Sequence, residues 1–365
     1  MKIVVYAICK NEAQFVDRWM NSMSEADQIV VLDTGSDDGT VDQLRKRGAQ
    51  VTVEAISPWR FDTARNRSLE LTPKDADICV CTDLDELFLP GWRRNLEKVW
   101  TPGIRQIHYR YTWNFNPDGS EGYVFWIDKI HVREGFRWVN PVHEVLQWTG
   151  VGPCAACFAA GVCLQHHADH KKSRSQYLPL LELAVSENSH NDRNMHYLGR
   201  EYFFYQDWDN CIRTLERHIS MPEAKWADER SASMRYLARA YAEKGMDPQA
   251  RQWFYRGIAE AAHLREPFLD FAVYLVEQKE WDGVAWLARE ALKRTERPRS
   301  YICEGDAWND LPYDLLALSC YYTGRYTEAL EAGRKAAALA PWKERLKENL
   351  DFYQSTESAR KTETK

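Results

Sequence analysis

Cys81-Thr82-Asp83-Leu84-Asp85-Glu86 closes an apolar run that begins at Ala76. A short apolar segment of this kind reads as a buried strand. Side chains alternate along an extended backbone, so Asp83 and Asp85 share one side. Two carboxylates placed there can hold a hard divalent ion that also bridges two phosphates. Acidic clusters are equally common as plain polar loops or helix starts, so the motif has to be weighed with its surroundings.

Upstream, Ile3–Ile8, Ile29–Asp33 and Gln50–Glu54 are further short runs rich in Val and Ile. Helical stretches lie between them, at Ala13–Met23, Val41–Arg47 and Phe61–Leu71, and Thr40 with Gln43 spells a capping box at the second. Strands alternating with single helices predict an α/β domain with a Rossmann-like, mostly parallel sheet, whose ligands sit at the carboxyl ends of the strands. The polar segments fall at those ends. Val30 to Thr40 carries Asp33, placed to accept hydrogen bonds from a nucleobase or ribose, and then Gly35 and Ser36, where the backbone turns sharply. The plain alternative is a glycine-rich strand-to-helix loop. Downstream, Gln106–Trp113 and Tyr123–Val132 alternate and carry aromatics, which predicts antiparallel strands closing one side of a cleft. Asn116-Pro117-Asp118-Gly119 supplies a turn.

Beyond His170 the chain becomes helical and repetitive. Four windows align on Cys211, Ala250, Val284 and Ala329, each preceded by an apolar pair: Leu198-Gly199, Leu237-Ala238, Phe271-Ala272 and Leu316-Ala317. Trp208, Trp281 and Tyr326 stand near the turn in three of them. The period is roughly 34 residues, that of the tetratricopeptide repeat, in which stacked helical hairpins bury each other's apolar faces. The polar end, residues 354–365, is expected to be disordered.

The whole chain has 365 residues, 44% hydrophobic and 13% aromatic, enough for two domains with real cores. A net charge of −6 gives no general reason to expect a nucleic-acid partner, although a local basic groove stays open. No segment approaches the length of a membrane span. Nine scattered cysteines fit a reducing compartment better than a disulfide framework, so the expectation is a cytoplasmic protein.

Together, Cys9-Lys10-Asn11-Glu12 after the first strand, Asp33-Thr34-Gly35-Ser36 after the second, Ala64-Arg65-Asn66 on a helix and Asp83-Leu84-Asp85-Glu86 resemble glycosyltransferase family 2, of the GT-A type. The chain resembles in particular the branch with a tetratricopeptide tail. That branch has a His-Glu pair near the end of the catalytic domain, matched by His143-Glu144, then an apolar strand ending in His, matched by Val162 to His166.

The resemblance implies a catalytic domain over residues 1–170, with a nucleotide-sugar half (1–100) and an acceptor half (101–170), and repeats over 171–353. It implies an inverting transfer from a nucleotide-sugar donor, most often a UDP-sugar, with Mn2+ or Mg2+. Ala7, Cys9, Lys10, Asn11, Glu12 and Asp33 would line the base and ribose with Gly35 and Ser36, and Arg65 would stand near the base or diphosphate. Asp83 and Leu84 would lie along the donor, Asp83 facing ribose and metal. Asp85 would be the direct metal ligand, with His143 and His166 as further candidates. Glu144 is the candidate general base and Asp128 the second. A peptide, protein or glycan acceptor held by the repeats is compatible, and a modified base in DNA is conceivable.

Other readings compete. Cys154-x-x-Cys157, Cys163 and His166 have a spacing that can hold zinc, but the apolar residues between them read as a buried strand. Trp113 or Trp138 would be the aromatic lining an acceptor cleft. A catalytically inactive nucleotide-sugar-binding scaffold is opposed by the intact Asp83/Asp85 and His143/Glu144 pairs. A nucleotidyltransferase is opposed by the lack of a long, basic, glycine-rich loop at the first strand.

Overall fold

A computed structural model describes residues 1–169 and 174–363 and divides the chain into two compact units, Met1–Glu187 and Asn188–Lys365. The first unit runs β1 (Ile3–Cys9), α1 (Ala13–Ser22), β2 (Gln28–Asp33), α2 (Thr40–Lys46), β3 (Gln50–Val53), α3 (Phe61–Glu70), β4 (Ile78–Cys81), β5 (Glu86–Phe88) and α4 (Trp92–Val99). It continues with β6 (Gln106–Thr112), β7 (Val124–Val132), β8 (Phe136–Val139), β9 (Val145–Trp148), β10 (Ala156–His166) and α5 (Tyr177–Glu187). Eight strands form one mixed sheet in the order β3-β2-β1-β4-β7-β6-β10-β5, and β8 pairs with β9 as a separate hairpin.

The sheet is parallel from β3 to β4, as single helical connections require. It turns antiparallel at β7, where the two aromatic runs pair as expected. The alternation of buried residues gives the sheet two covered faces. On one, Val5, Ala7, Val31, Val80, Ile107 and Ile130 pack under Phe15 and Trp19 of α1, Leu44 of α2 and Trp92 and Leu96 of α4. On the other, Val4, Tyr6, Cys79 and Cys81 pack under Leu69 of α3 and Phe136, Trp138 and Leu146 of the hairpin.

The Thr40–Gln43 capping box does not form. Thr40 is itself the first helical residue, and its hydroxyl accepts from the Glu12 backbone N–H while binding Asp38. The expected domain boundary at residues 170 and 171 lies outside the described residues, as does His170. Helix α5, assigned from sequence to the repeats, belongs with the first unit. Tyr177 packs on the rings of Phe61 and His143, and Glu187 pairs with Arg60.

The second unit is all helical: α6 (Asp192–Phe204), α7 (Trp208–Ser220), α8 (Ala227–Glu243), α9 (Asp247–Glu260), α10 (Glu266–Glu277), α11 (Trp281–Leu292), α12 (Leu311–Tyr322), α13 (Tyr326–Leu339) and α14 (Glu344–Glu363). Successive helices from α6 to α13 pair as four hairpins, and α14 packs on α13. Cys211, Ala250, Val284 and Ala329 fall on the second helix of each hairpin and are fully buried. The expected disorder from residue 354 is not found. α14 runs on to Glu363, anchored by Leu346 and Tyr353, whose ring lies over Gly333, while residues 364–365 are outside the described residues. Among the described residues no helix is long and apolar enough to cross a membrane.

Gly199 shows how tightly a hairpin closes. A Cβ there would stand 2.2 Å from Cδ2 and 2.4 Å from Cγ of the buried Leu215. Gly199→Val should therefore destabilise the helical unit by about 2 kcal/mol, overpacking outweighing the small gain in helix propensity. Urea unfolding followed by circular dichroism measures this, and an unmoved midpoint would mean that the helices separate at little cost.

Candidate functional site

The carboxyl ends of β1, β2 and β4 lie side by side, with Cys9 opposite Asp33 and Tyr6 opposite Cys81. The first two loops are locked together. Asp33 is fully buried, and one of its oxygens accepts the Gly35 and Ser36 backbone N–H groups at 3.0 and 2.8 Å. The other accepts the Ser36 hydroxyl and the Cys9 thiol. Asn11 reciprocates across the gap, taking the Asp37 N–H on its side chain and giving its own N–H to Ser36. It adopts a left-handed conformation, φ 56°, which Asn tolerates better than most residues. Of the residues expected along a nucleotide, Lys10 and Asn11 are exposed, Gly35 is exposed at φ 106°, and Ser36 is half-buried. Ala7, Cys9, Glu12 and Leu84 are buried and can shape the loops but offer little side-chain surface.

The third end, after β4, is a charge cluster centred on Arg65 of α3. This guanidinium is nearly buried, with 6% of its side chain exposed. It donates to both Asp83 oxygens at 2.9 and 3.1 Å, to Glu144, and to the Cys81 sulfur. Burial disfavours its charge, but Asp83, Cys81 and Glu144 more than compensate and hold its pKa well above the usual arginine value. Lys129 of β7 is the second cation, 3.3 Å from Asp83 and 3.2 Å from Glu86. Glu86 is buried, accepts from Tyr111, and also takes the Asp83 backbone N–H. Desolvation raises its pKa despite Lys129.

The position of Lys129 depends on a β-bulge. Between Ile107 and Tyr109 the β6–β7 register shifts, so Asp128 and Lys129 together oppose His108. Ile127 and Ile130 both face the helix-covered core, and the two charged residues between them turn toward the opposite layer. Asp128 thus lies beside Lys129, and its negative charge is felt at Tyr109 and Cys154.

Asp85 pairs with His166 at the end of β10, with Oδ2 and Nε2 3.5 Å apart. The other His166 nitrogen is bonded to the Trp113 carbonyl at 3.0 Å, and the two rings lie tilted at 32° with centroids 4.6 Å apart. Burial lowers the His166 pKa, and Asp85, Glu86 and the carbonyl together outweigh it, leaving the value raised. A carboxylate beside an imidazole whose far nitrogen is fixed by a carbonyl is a donor pair suited to a divalent ion such as Mn2+. His143 does not join it. Its backbone is left-handed, φ 49°, unusual for a non-glycine residue, and its ring packs on Tyr177. Among the described residues, no three of Asp83, Asp85, His143 and His166 bring donor atoms within 4.8 Å of one another.

The zinc alternative is not assembled either. The thiols of Cys154, Cys157 and Cys163 contact Gln106, Val99 and Ala160 respectively, and His166 faces Asp85. Trp113 is 48% exposed beside His166, as an acceptor-lining ring would be, whereas Trp138 is buried under Arg65. Sequence reading assigned no role to Lys129, Glu86, Tyr6 or His131. A charged pair set inside the aromatic run of β7 was the available signal.

No family model matches the chain. Among solved structures it is similar to yeast Tom70 (16% identity, TM-score 0.41, covering 52% of this chain and 37% of that one). It is also similar to Pseudomonas aeruginosa PilF (14%, TM-score 0.37, covering 49% and 72%) and to MamA (13%, TM-score 0.36, covering 46% and 89%). The chain thus spans little more than a third of Tom70, and each likeness touches only about half of this chain.

A buried relay supports Arg65 from below. Trp138 faces the guanidinium at 5.2 Å and donates its indole N–H to Tyr6. The Tyr6 hydroxyl meets His131 Nε2 at 2.8 Å, and His131 Nδ1 meets the Val132 carbonyl at 2.7 Å. The carbonyl can only accept, so Nδ1 carries the proton and Nε2 accepts from Tyr6. Burial lowers the His131 pKa from 6.5 to about 4. The unfolded chain therefore takes up this proton first, and the stability His131 confers at neutral pH is lost as pH falls from 6.5 through 4. The loss should reach roughly 3 kcal/mol. His131→Gln, which keeps one donor and one acceptor, should flatten the fall in stability across that window. Equal slopes for the two proteins in urea titrations at several pH values would rule the relay out as the source.

Proposed function

We propose that the first unit is an inverting, metal-dependent glycosyltransferase that takes a sugar from a nucleotide diphosphate donor of the UDP class. The observation that carries this reading is the Asp85–His166 pair at the edge where the parallel strands end, beside the Asp83–Arg65–Glu144 fork. The sheet order supports it as well, because parallel α/β sheets bind ligands at that edge. So do the exposed positions in the first two loops.

In this reading a divalent ion held by Asp85 and His166 would offset the negative charge that develops on the departing diphosphate. The chain's own residues do the rest. Lys129 and Arg65 fix Asp83 so that its partly exposed carboxylate is presented in one orientation. The Asp33–Ser36 and Asn11 bonds hold the nucleotide-facing loops rigid, which spares ordering cost on binding. The attacking hydroxyl must lose its proton to a carboxylate on the face away from the diphosphate. Asp128 adjoins Lys129 on β7, and Glu144 is our choice because it sits in the fork itself. The helical repeats are proposed to hold an extended acceptor, peptide or glycan.

Purified protein incubated with a panel of nucleotide sugars and Mn2+ should release free nucleotide diphosphate from one of them. Asp85→Asn should abolish that release while the melting temperature holds, because an amide supplies no charge to the ion. Full activity in this variant, or in excess EDTA, removes the metal-dependent mechanism. Silence across the whole panel would favour a nucleotide-sugar-binding scaffold instead.

Glu144→Gln retains an oxygen to accept from Arg65 but removes one of its two carboxylate charges, so melting temperature is followed beside activity; a folded variant should bind UDP and lose proton abstraction. Transfer should fall by about 100- to 10,000-fold. A variant within a few-fold of wild type would move the base to Asp128.

A further inference from the structure

The second unit contains a polar cluster that its helical-repeat character does not explain. Three helix ends meet there. Asp192 opens α6, His218 lies in the last turn of α7 and Glu229 in the first turn of α8. One carboxylate oxygen from each acid and one His218 nitrogen all lie within 4.8 Å of one another. Acids in the first turn of a helix are ordinary, since they complement its dipole. A histidine in the last turn of a helix is favoured by the dipole in the same way, and what the dipole does not account for is the burial of His218. Its side chain is fully buried, and Nε2 has no hydrogen-bond partner, facing Glu229 Oε1 from 3.6 Å.

The neighbours fix which nitrogen is available. Ser233 Oγ lies 2.9 Å from His218 Nδ1 and 2.7 Å from His196 Nδ1. One hydroxyl can donate only once, so it gives its proton to one ring and accepts from the other. When His218 Nδ1 donates to Ser233 and Ser233 donates to His196, the His218 Nε2 lone pair points at the two carboxylates. On the far side, Tyr301 donates to the other oxygen of Glu229 and orients it. An imidazole held by a second hydrogen bond, and a carboxylate held by a phenol, are how metal ligands are aimed.

We infer that Asp192, His218 and Glu229 form a site for a divalent transition-metal ion of the zinc class, separate from the charge cluster of the first unit. One imidazole with two carboxylates suits zinc better than magnesium, which favours an all-oxygen shell. His218 and Glu229 are buried and Asp192 is half-buried. The ion would tie together the first three helices of the repeat unit, a structural task independent of the proposed transfer.

The test uses the full chain, stripped of metal and free of nucleotide, with Zn2+ alone as the probe. Wild type should gain melting temperature with Zn2+ and bind it in calorimetry. Asp192→Asn, at a half-buried position where the fold is safe, should lose the gain, and Glu229→Gln likewise. Ser233→Ala should weaken binding by about 10- to 100-fold, because it releases the His218 ring. Asp85→Asn removes the carboxylate of the first-unit pair and should still show a Zn2+ gain, which Asp85→Asn/Asp192→Asn should lose. The inference is overturned if Zn2+ leaves wild type unmoved, or if the gain survives in Asp85→Asn/Asp192→Asn. It is also overturned if Asp85→Asn abolishes the response, which would place the ion in the first unit, or if Mg2+ alone gives an equal gain.

Discussion

A guanidinium at Arg65 has almost no water around it, and the arrangement of the first unit follows from that. Leaving such a charge unpaired would cost several kcal/mol, and breaking a buried pair costs about 3–5 kcal/mol. The fold supplies two carboxylates from distant parts of the chain, Asp83 after β4 and Glu144 before β9, together with the face of Trp138. Each of these must itself be held. Trp138 is held by Tyr6 and His131, Asp83 by Lys129, and Glu86 by Lys129 and Tyr111. The hairpin of β8 and β9 therefore covers the sheet and also delivers one arm of the fork.

The charge balance of this cluster gives it a direction. Arg65 and Lys129 face Asp83, Glu86 and Glu144, and Asp85 adds a fourth carboxylate, paired with His166. Arg65 and Lys129 offset two of the four carboxylates, and the raised pKa values of His166 and of Glu86 lessen the excess of negative charge that remains. A cationic ligand relieves that excess, and a bare anionic diphosphate worsens it. A divalent ion bound together with a diphosphate would reconcile the two, and this is the charge argument for the metal in the proposed chemistry.

Much of the first unit was legible because strand and helix periods alternate cleanly from Ile3 to Glu86, and the four repeat windows landed on buried positions for the same reason. Other features depended on contacts that no local pattern carries. The bulge in β7 places two successive charged residues on one layer, which a strict period of two forbids, so Lys129 could not be assigned to the site from spacing. Thr40 reads as a cap, yet its hydroxyl is taken by the Glu12 backbone from another loop. The tail reads as polar, and α14 forms because Leu346 and Tyr353, two residues in a long charged helix, find a partner in α13. In each case a tertiary partner outweighed local propensity.

The motif residues divide into two physical kinds, and the division explains why motif and mechanism are not the same thing. Asp33, Cys9, Glu12 and Leu84 are buried, and the hydrogen bonds of Asp33 and Cys9 run within the loops. They set loop shape and therefore belong to the motif, whatever touches a ligand. Asn11, Ser36 and Asp83 combine fixed bonds with exposed or half-buried positions, and the Asp85–His166 pair lies nearly buried beside them. A residue that is both held by its neighbours and open at the strand ends can bind without reorganising, since its rotamer is already chosen. Rigidity inside and exposure at the rim are thus two parts of one device.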